Sequence, residues 1–289
     1  MRRRRLILEN SILRAGHWVW TLAALRPHLS DLRFLTSGVR NVGAARIRPM
    51  LAVGLLALAG VNRAGAIEGS AELGWFSQHV FRGEVLSDRP ALFPAVEVST
   101  DYGLRAGLFG VLDLTDDRGR RHTFSEVAGL LAYALPPTGP VRTEIGYAPT
   151  YFPGADDKTE HEAFLHAALD LPLTPALSAY VDMEDAPAAY ASLGIGRGWP
   201  VARDVELDIG LSLGAATAAY NREVYEVDRT AINDMTLTAE LSFAITEHLT
   251  LSVTGRAMRL PDGEVRRGAR ETRADDRAVA GGLTVRGRF

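Results

Sequence analysis

Four residues offer the most demanding chemistry in this chain. His166 and Asp170 fall four apart, and Ser178 and Ser212 follow downstream. A histidine oriented by a carboxylate can act as general base toward a serine hydroxyl, and such triads are set by geometry rather than chain order. If residues 164–171 alternate as a strand, His166 and Asp170 share a face, which points to a hydrolase acting on lipid or lipopolysaccharide. The same residues fit a plain hydrogen-bonded network, and that is the simpler reading. Metal chemistry finds less support. His161 and His166 are five apart, His79, His122 and His248 fall in separate connections, and no H-E-x-x-H motif occurs. Gly194-Ile-Gly196-Arg-Gly198 lacks the full spacing and the βαβ setting of a dinucleotide site. The acidic stretches 116–121, 156–157 and 261–276 carry oxygen ligands that suit calcium but no EF-hand pattern, so they read as solvated loops. The residues assign no catalytic set, no cofactor and no metal.

Composition narrows the classes further. Cysteine is absent, which excludes a disulfide framework and thiol chemistry. Basic and acidic residues number 32 and 35, for a formal charge of -3, and the pI is about 6.2. That balance gives no general attraction to nucleic acid. A mean hydropathy of -0.00 is no higher than that of a soluble protein. After residue 66 no run of eighteen apolar residues occurs, so a bundle of membrane-spanning helices is excluded. A barrel is not, because its strands alternate and its lumen is polar.

The first 66 residues differ from the rest. Residues 1–49 open with four consecutive arginines, Arg2 to Arg5, and read as an extension that is disordered or not translated. Residues 50–66 read as a signal peptide: the apolar run Met50-Leu-Ala-Val-Gly-Leu-Leu-Ala-Leu-Ala-Gly-Val61 lies between Arg46 and Arg48 and the site Ala64-Gly-Ala66. The folded product then spans 67–289.

That remainder alternates with a period of two in about twelve segments, the pattern of strands with one apolar face. Val205, Leu207, Ile209, Leu211 and Leu213 oppose Glu206, Asp208, Gly210, Ser212 and Gly214. The last segment sets Val279, Leu283, Val285 and Phe289 against Ala280, Thr284, Arg286 and Arg288. Connections alternate between long, charged stretches and tight turns, as in outer-membrane barrels. The short stretch 185–187 and the seven-residue stretch 197–203 break that rule. Aromatics near segment ends, Trp75, Tyr133, Tyr147, Tyr151, Tyr190 and Tyr220, are candidates for interfacial girdles. Charges collect on the faces opposite the apolar ones, where a dry core would penalise them and a wet or densely paired lumen would not. The lumen-lining set is Arg105, Glu144, Glu206, Asp208, Glu240, Arg256 and Arg286.

The stretch Ala71-Glu-Leu-Gly-Trp-Phe-Ser-Gln-His-Val-Phe-Arg-Gly83 resembles a poorly characterised family of Gram-negative outer-membrane proteins. In that family a Phe-Arg-Gly element is followed by a Pro-Ala and a Gly-Leu-x-Ala-Gly-like strand. Phe81-Arg82-Gly83, Pro90-Ala91 and Gly103-Leu-Arg-Ala-Gly107 match these elements. The aspartate-tyrosine that usually precedes Phe-Arg-Gly is replaced within Gln78-His79-Val80. The resemblance implies a barrel of about twelve strands, porin-like in some members, and transfers no catalytic set.

The expectation is therefore an all-β, transmembrane antiparallel β-barrel in the outer membrane of a Gram-negative bacterium. It would act as a passive channel for small polar solutes or ions, with outer-membrane lipids around it. The barrel-assembly machinery would recognise the strand that ends at Phe289. Two alternatives accompany it: a barrel enzyme modifying envelope lipid or lipopolysaccharide, and a structural or binding barrel with a plugged lumen.

Overall fold

The computed structural model describes residues 67–115, 123–153, 158–184, 188–272 and 274–289. The extension, the signal-like segment and the acidic stretches 116–121 and 156–157 lie outside the described residues. Within them the order is β1 (Ile67–Phe76), β2 (His79–Phe81), β3 (Glu84–Ser87), β4 (Ala91–Thr100), β5 (Leu104–Asp113), β6 (Phe124–Ala134) and β7 (Val141–Tyr151). Then come β8 (Thr159–Leu169), β9 (Ala176–Asp182), β10 (Ala189–Ala202), β11 (Val205–Ala216), α1 (Ala218–Tyr225), β12 (Ala231–Ala244), β13 (Leu249–Arg259), α2 (Gly263–Glu271) and β14 (Arg277–Arg288). All strands except β2 and β3 form one closed antiparallel barrel of twelve, and β1 closes it against β14. At that seam Leu73 pairs with Val285 and Trp75 with Leu283. Gly69 and Phe289 exchange backbone bonds of 2.8 and 3.0 Å. The Phe289 ring lies over Gly69, where a Cβ would come within 2.3 Å of it.

The period of two explains both faces of the wall. Leu73, Trp75, Leu193, Ile195, Ile209, Leu211, Leu213, Val279, Leu283 and Val285 all point out and are exposed. In water a belt of this kind would be an unsatisfied apolar patch, whereas against lipid tails it is at home. Ten residues separate Val279 from Phe289. At ~3.3 Å per residue and a tilt of ~40°, the belt is about 25 Å tall, matching the apolar band of a membrane barrel.

Three expectations change. The stretch 197–203 is not a loop: β10 runs through Ala202, paired to β11 as far as Val205, with an irregularity between Pro200 and Ala202. Proline lacks the N–H a regular ladder needs, and a local shift of register accommodates it. The turn shrinks to Arg203-Asp204, which removes one exception to the short-turn rule. The stretch 261–276 is not simply solvated, because it holds α2, whose Val265, Gly268 and Ala269 are buried. Asp262 caps this helix by accepting from the amides of Glu264 and Val265. Finally, Trp75 and Tyr133 are exposed like girdle residues, but Tyr151, Tyr190 and Tyr220 are buried.

Candidate functional site

The connection between β1 and β4 turns into the barrel as the β2–β3 hairpin. Phe81 pairs with Glu84, leaving Arg82 and Gly83 as a two-residue turn with φ of 45° and 84°. Two successive positive φ values are the mark of a type I′ turn. Glycine enters that region freely, and at Gly83 a Cβ would also meet the Asp234 Cβ at 2.8 Å. Arginine does not enter it freely, so its neighbours must hold it there. Arg82 donates from Nη1 and Nη2 to the two carboxylate oxygens of Glu162, at 2.6 and 2.9 Å. Its guanidinium lies 3.8 Å from the Tyr180 ring centre, 4.5 Å from that of Phe81 and 5.2 Å from that of Tyr190. Burial works against the Arg82 charge, but the charge and hydrogen bonds of Glu162 overcome it, so its pKa is raised. The Tyr225 hydroxyl donates to the Gly83 carbonyl at 3.0 Å, and Arg256 Nη1 donates to the Val80 carbonyl at 2.9 Å. The hairpin is thus tied to β8, to β13 and to α1.

The wall beneath Arg82 is aromatic by register. Phe164 on β8 sits directly opposite Tyr180 on β9, and Tyr180 opposite Tyr190 on β10. With Tyr220 from α1 the rings make a ladder with centroid spacings of 6.4, 6.3 and 6.0 Å. Offset and tilted ring pairs at such spacing are favourable. The Tyr190 hydroxyl donates to Asp234 at 2.8 Å. His79, fully within the hairpin's packing, has its pKa lowered to about 3, by burial first and by Arg256 second. Its Nδ1 lies 3.6 Å from Glu126.

The inner face of β10 and β11 is the opposite case. Gly194, Gly196, Gly198, Gly210 and Gly214 occupy its inward positions, with Ser212 among them. The missing side chains at Gly194, Gly196 and Gly210 open onto a cavity of about 190 Å³ between this wall and the hairpin. At Gly198 the side chains of Glu206 and Asp208 fill the space instead, and at Gly214 those of Asp234 and Tyr190 do. Arg82, Tyr180, Ser192, Asp208, Asp234, Glu240 and Arg256 contribute to its lining.

Each residue of the sequence-derived lumen set sits on the face opposite the apolar belt, in three groups. Arg105 donates to Glu97 at 3.1 Å and to Glu144 at 2.6 Å. Arg286 Nε donates to Glu72 at 2.6 Å across the closing seam. Asp208 and Glu240 are direct cross-strand neighbours that border the cavity with Arg256, and Glu206 lies one inward step away on β11. The sequence reading missed Arg82, His79, Glu126, Glu160, Glu162 and Asp234, all of them buried. The Phe-Arg-Gly element was the available signal for Arg82. Extending the alternation of β8 back to Thr159 would have placed Glu160 and Glu162 inward.

The serine and histidine do meet. Ser178 Oγ and His166 Nδ1 are 2.8 Å apart. The expected acid does not join them, because Asp170 takes a bond from Arg142 at 3.3 Å. Glu144 is opposite His166 in register but binds Arg105. The pair also lies inside the wall, away from lipid. Among the described residues no group of three His, Asp or Glu is placed to hold a metal ion.

No family model and no curated protein sequence matches the chain. Solved structures do. It is similar to the KdgM porin at 11% identity, with a TM-score of 0.49, over 76% of this chain and 99% of that chain. It is similar to the NanC porin at 11% identity and a TM-score of 0.46, over 76% of this chain and 98% of that one. An anion-selective porin from Comamonas acidovorans matches at 11% identity and a TM-score of 0.36, over 78% and 99% of the two chains. These likenesses concern the barrel architecture alone.

Proposed function

We propose that this chain is a Gram-negative outer-membrane channel that passes small polar solutes or ions passively, narrowed by its own inward hairpin. The observation that carries the reading is the side-chain-free strip on β10 and β11, set beside charged and hydroxyl groups within a lipid-facing wall. A solute crossing there meets the bare backbone of Gly194, Gly196 and Gly210, flanked along the same inner face by Asp208 and Glu240, with Arg256 beyond them on β13. Arg105, Glu144, Glu206 and Arg286 complete the electrostatic filter toward the periplasmic end. Passage needs no turnover and no cofactor. On this reading residues 50–66 direct export, residues 1–49 are absent from the mature product, and the strand ending at Phe289 engages the barrel-assembly machinery. The Phe-Arg-Gly resemblance joins the chain to its poorly characterised outer-membrane family and gives that element a role, the tip of the hairpin.

Planar-bilayer recording tests the channel. Discrete current steps from folded protein are expected; their absence would leave the plugged binding barrel as the better reading, which the density of hairpin contacts favours. The Ser178–His166 bond favours an enzyme as a second reading. Hydrolysis of lipid or model esters that disappears in Ser178→Ala would establish it, and no hydrolysis by the parent protein would remove it.

A further inference from the structure

The external end of the β13–β14 seam carries an unusual pair. Arg259 and Arg277 are direct cross-strand partners, and both lie on the exposed, outward face. Opposed residues in an antiparallel pair hold their Cβ atoms about 4.5–5.5 Å apart, and like charges so placed repel. The acids of the neighbouring connections form their ion pairs with other arginines, although the charge of Asp276 also reaches Arg277. Asp276 binds Arg270, and Asp262 and Glu264 bind Arg229. Exposed Glu271 and Asp275 form no ion pair with the two arginines among the described residues. Arg266 and Arg267 on α2, in the connection joining these two strands, add two more cations, and the charge of Arg266 also acts on the carboxyl groups of Asp262 and Asp276.

Depth identifies the occupant. The outward positions one step below the pair are Ala257 and Val279, and Val279 is the last exposed apolar residue of β14 at this end, with exposed Met235 on β12 opposite Arg259. One step is two residues, about 7 Å of strand, which sets the arginines at the outer headgroup level. Guanidinium groups bind phosphate through paired, charge-assisted bonds. One phosphate between the two would replace their repulsion with attraction.

We propose that Arg259 and Arg277, supported by α2, form a binding site for a phosphate group of an outer-leaflet glycolipid, of the lipid A type. The proposal rests on the outer-membrane placement above and not on channel activity. The test uses the folded barrel in a neutral detergent, titrated with diphosphoryl lipid A and with its dephosphorylated form, and followed by native mass spectrometry. The expected result is one preferred lipid, with Arg259→Gln/Arg277→Gln binding it about tenfold or more weakly, the scale of a lost charge-assisted pair. Arg259→Lys/Arg277→Lys keeps part of the binding, and Arg203→Gln on the opposite rim changes nothing. Equal binding by the glutamine variant, or equal binding of the dephosphorylated lipid, would overturn the site. Competition by millimolar inorganic phosphate as effective as that by lipid A would overturn the lipid as its source. Insertion of both proteins into vesicles is read separately by tryptophan fluorescence. A protein that inserts but ignores lipid phosphate loses this site alone, and one that does not insert loses the membrane reading as well.

Discussion

Two walls of the same barrel have the same exterior and opposite interiors. On β8 and β9 the inward positions hold Glu160, Glu162, Phe164, Tyr180 and Asp182, all buried. On β10 and β11 most of them hold glycine or serine. Outside, Leu165, Leu177 and Val181 match Leu193, Ile195, Ile209 and Leu211 in exposure and character. Lipid sets the outer face uniformly, so the alternating pattern leaves the inner face free to vary. The furnished wall anchors the hairpin, and the bare wall leaves the space.

The comparison can be broken most severely by removing what the furnished wall holds. Replacing residues 78–88 with a short Gly-Ser linker should raise single-channel conductance several-fold. No change would mean that the hairpin does not narrow the path. Next in size is the anchor itself. Arg82→Ala strands Glu162, whose side chain is 8% exposed, and breaking a buried pair costs about 3–5 kcal/mol. Chemical denaturation in detergent should register that loss, and Arg82→Met with Glu162→Leu should recover much of it.

The bare wall predicts a different response. At Gly196 a Cβ would meet nothing nearer than 3.4 Å, so Gly196→Trp should lower conductance while leaving stability within about 0.5 kcal/mol. At Gly146, on β7, a Cβ would meet Phe164 at 2.0 Å. Gly146→Ala should therefore destabilise the barrel, as urea unfolding would register.

Acid gives a smaller test. Neutral His79 is held in the hairpin with its pKa lowered from 6.5 to about 3. The unfolded chain binds that proton first, so the stability His79 contributes is intact above pH 6.5 and declines as pH falls toward 3. Protection factors of the hairpin amides, which divide out the intrinsic pH dependence of exchange, should fall over that window, with His79→Asn flattening the response. The smallest effect is expected outside the lumen. Asp262→Ala removes the α2 cap and should cost about 1 kcal/mol. The carboxyl pKa of Asp262 is lowered by the Val265 amide, with further help from the Glu264 amide and Arg229. Its contribution is therefore present above about pH 4 and fades below that. Protection factors of the α2 amides would report both changes.

The walls were legible in the sequence and the contents of the lumen were not. Period-two alternation needs only neighbouring residues, so the faces of β11, β12 and β14 could be read directly. It failed where local chemistry interrupts it: Gly198 and Pro200 made the end of β10 resemble a turn, and Lys158 to Glu162 merged with a charged loop. The hairpin, α1 and α2 are short segments stabilised by distant partners, such as Arg82 with Glu162, 80 positions away. No local pattern encodes such a pairing. Likewise, the meeting of Ser178 with His166 depends on the β8–β9 register, and register also decides that Asp170 goes to Arg142 instead.

The Glu72–Arg286 contact across the closing seam has one further consequence. It joins residues 214 positions apart, whereas every other barrel strand pairs with a neighbour along the chain. The other contacts can form hairpin by hairpin, but the seam requires β1 to find β14 after almost the whole described chain has been made. Contacts this remote slow folding, because their entropy loss precedes their reward. Until they form, β1 and β14 are two raw edges, and an open sheet edge has no place within hydrocarbon. The ribosome finishes this protein well before its wall exists, and escorting the open chain falls to whatever receives it.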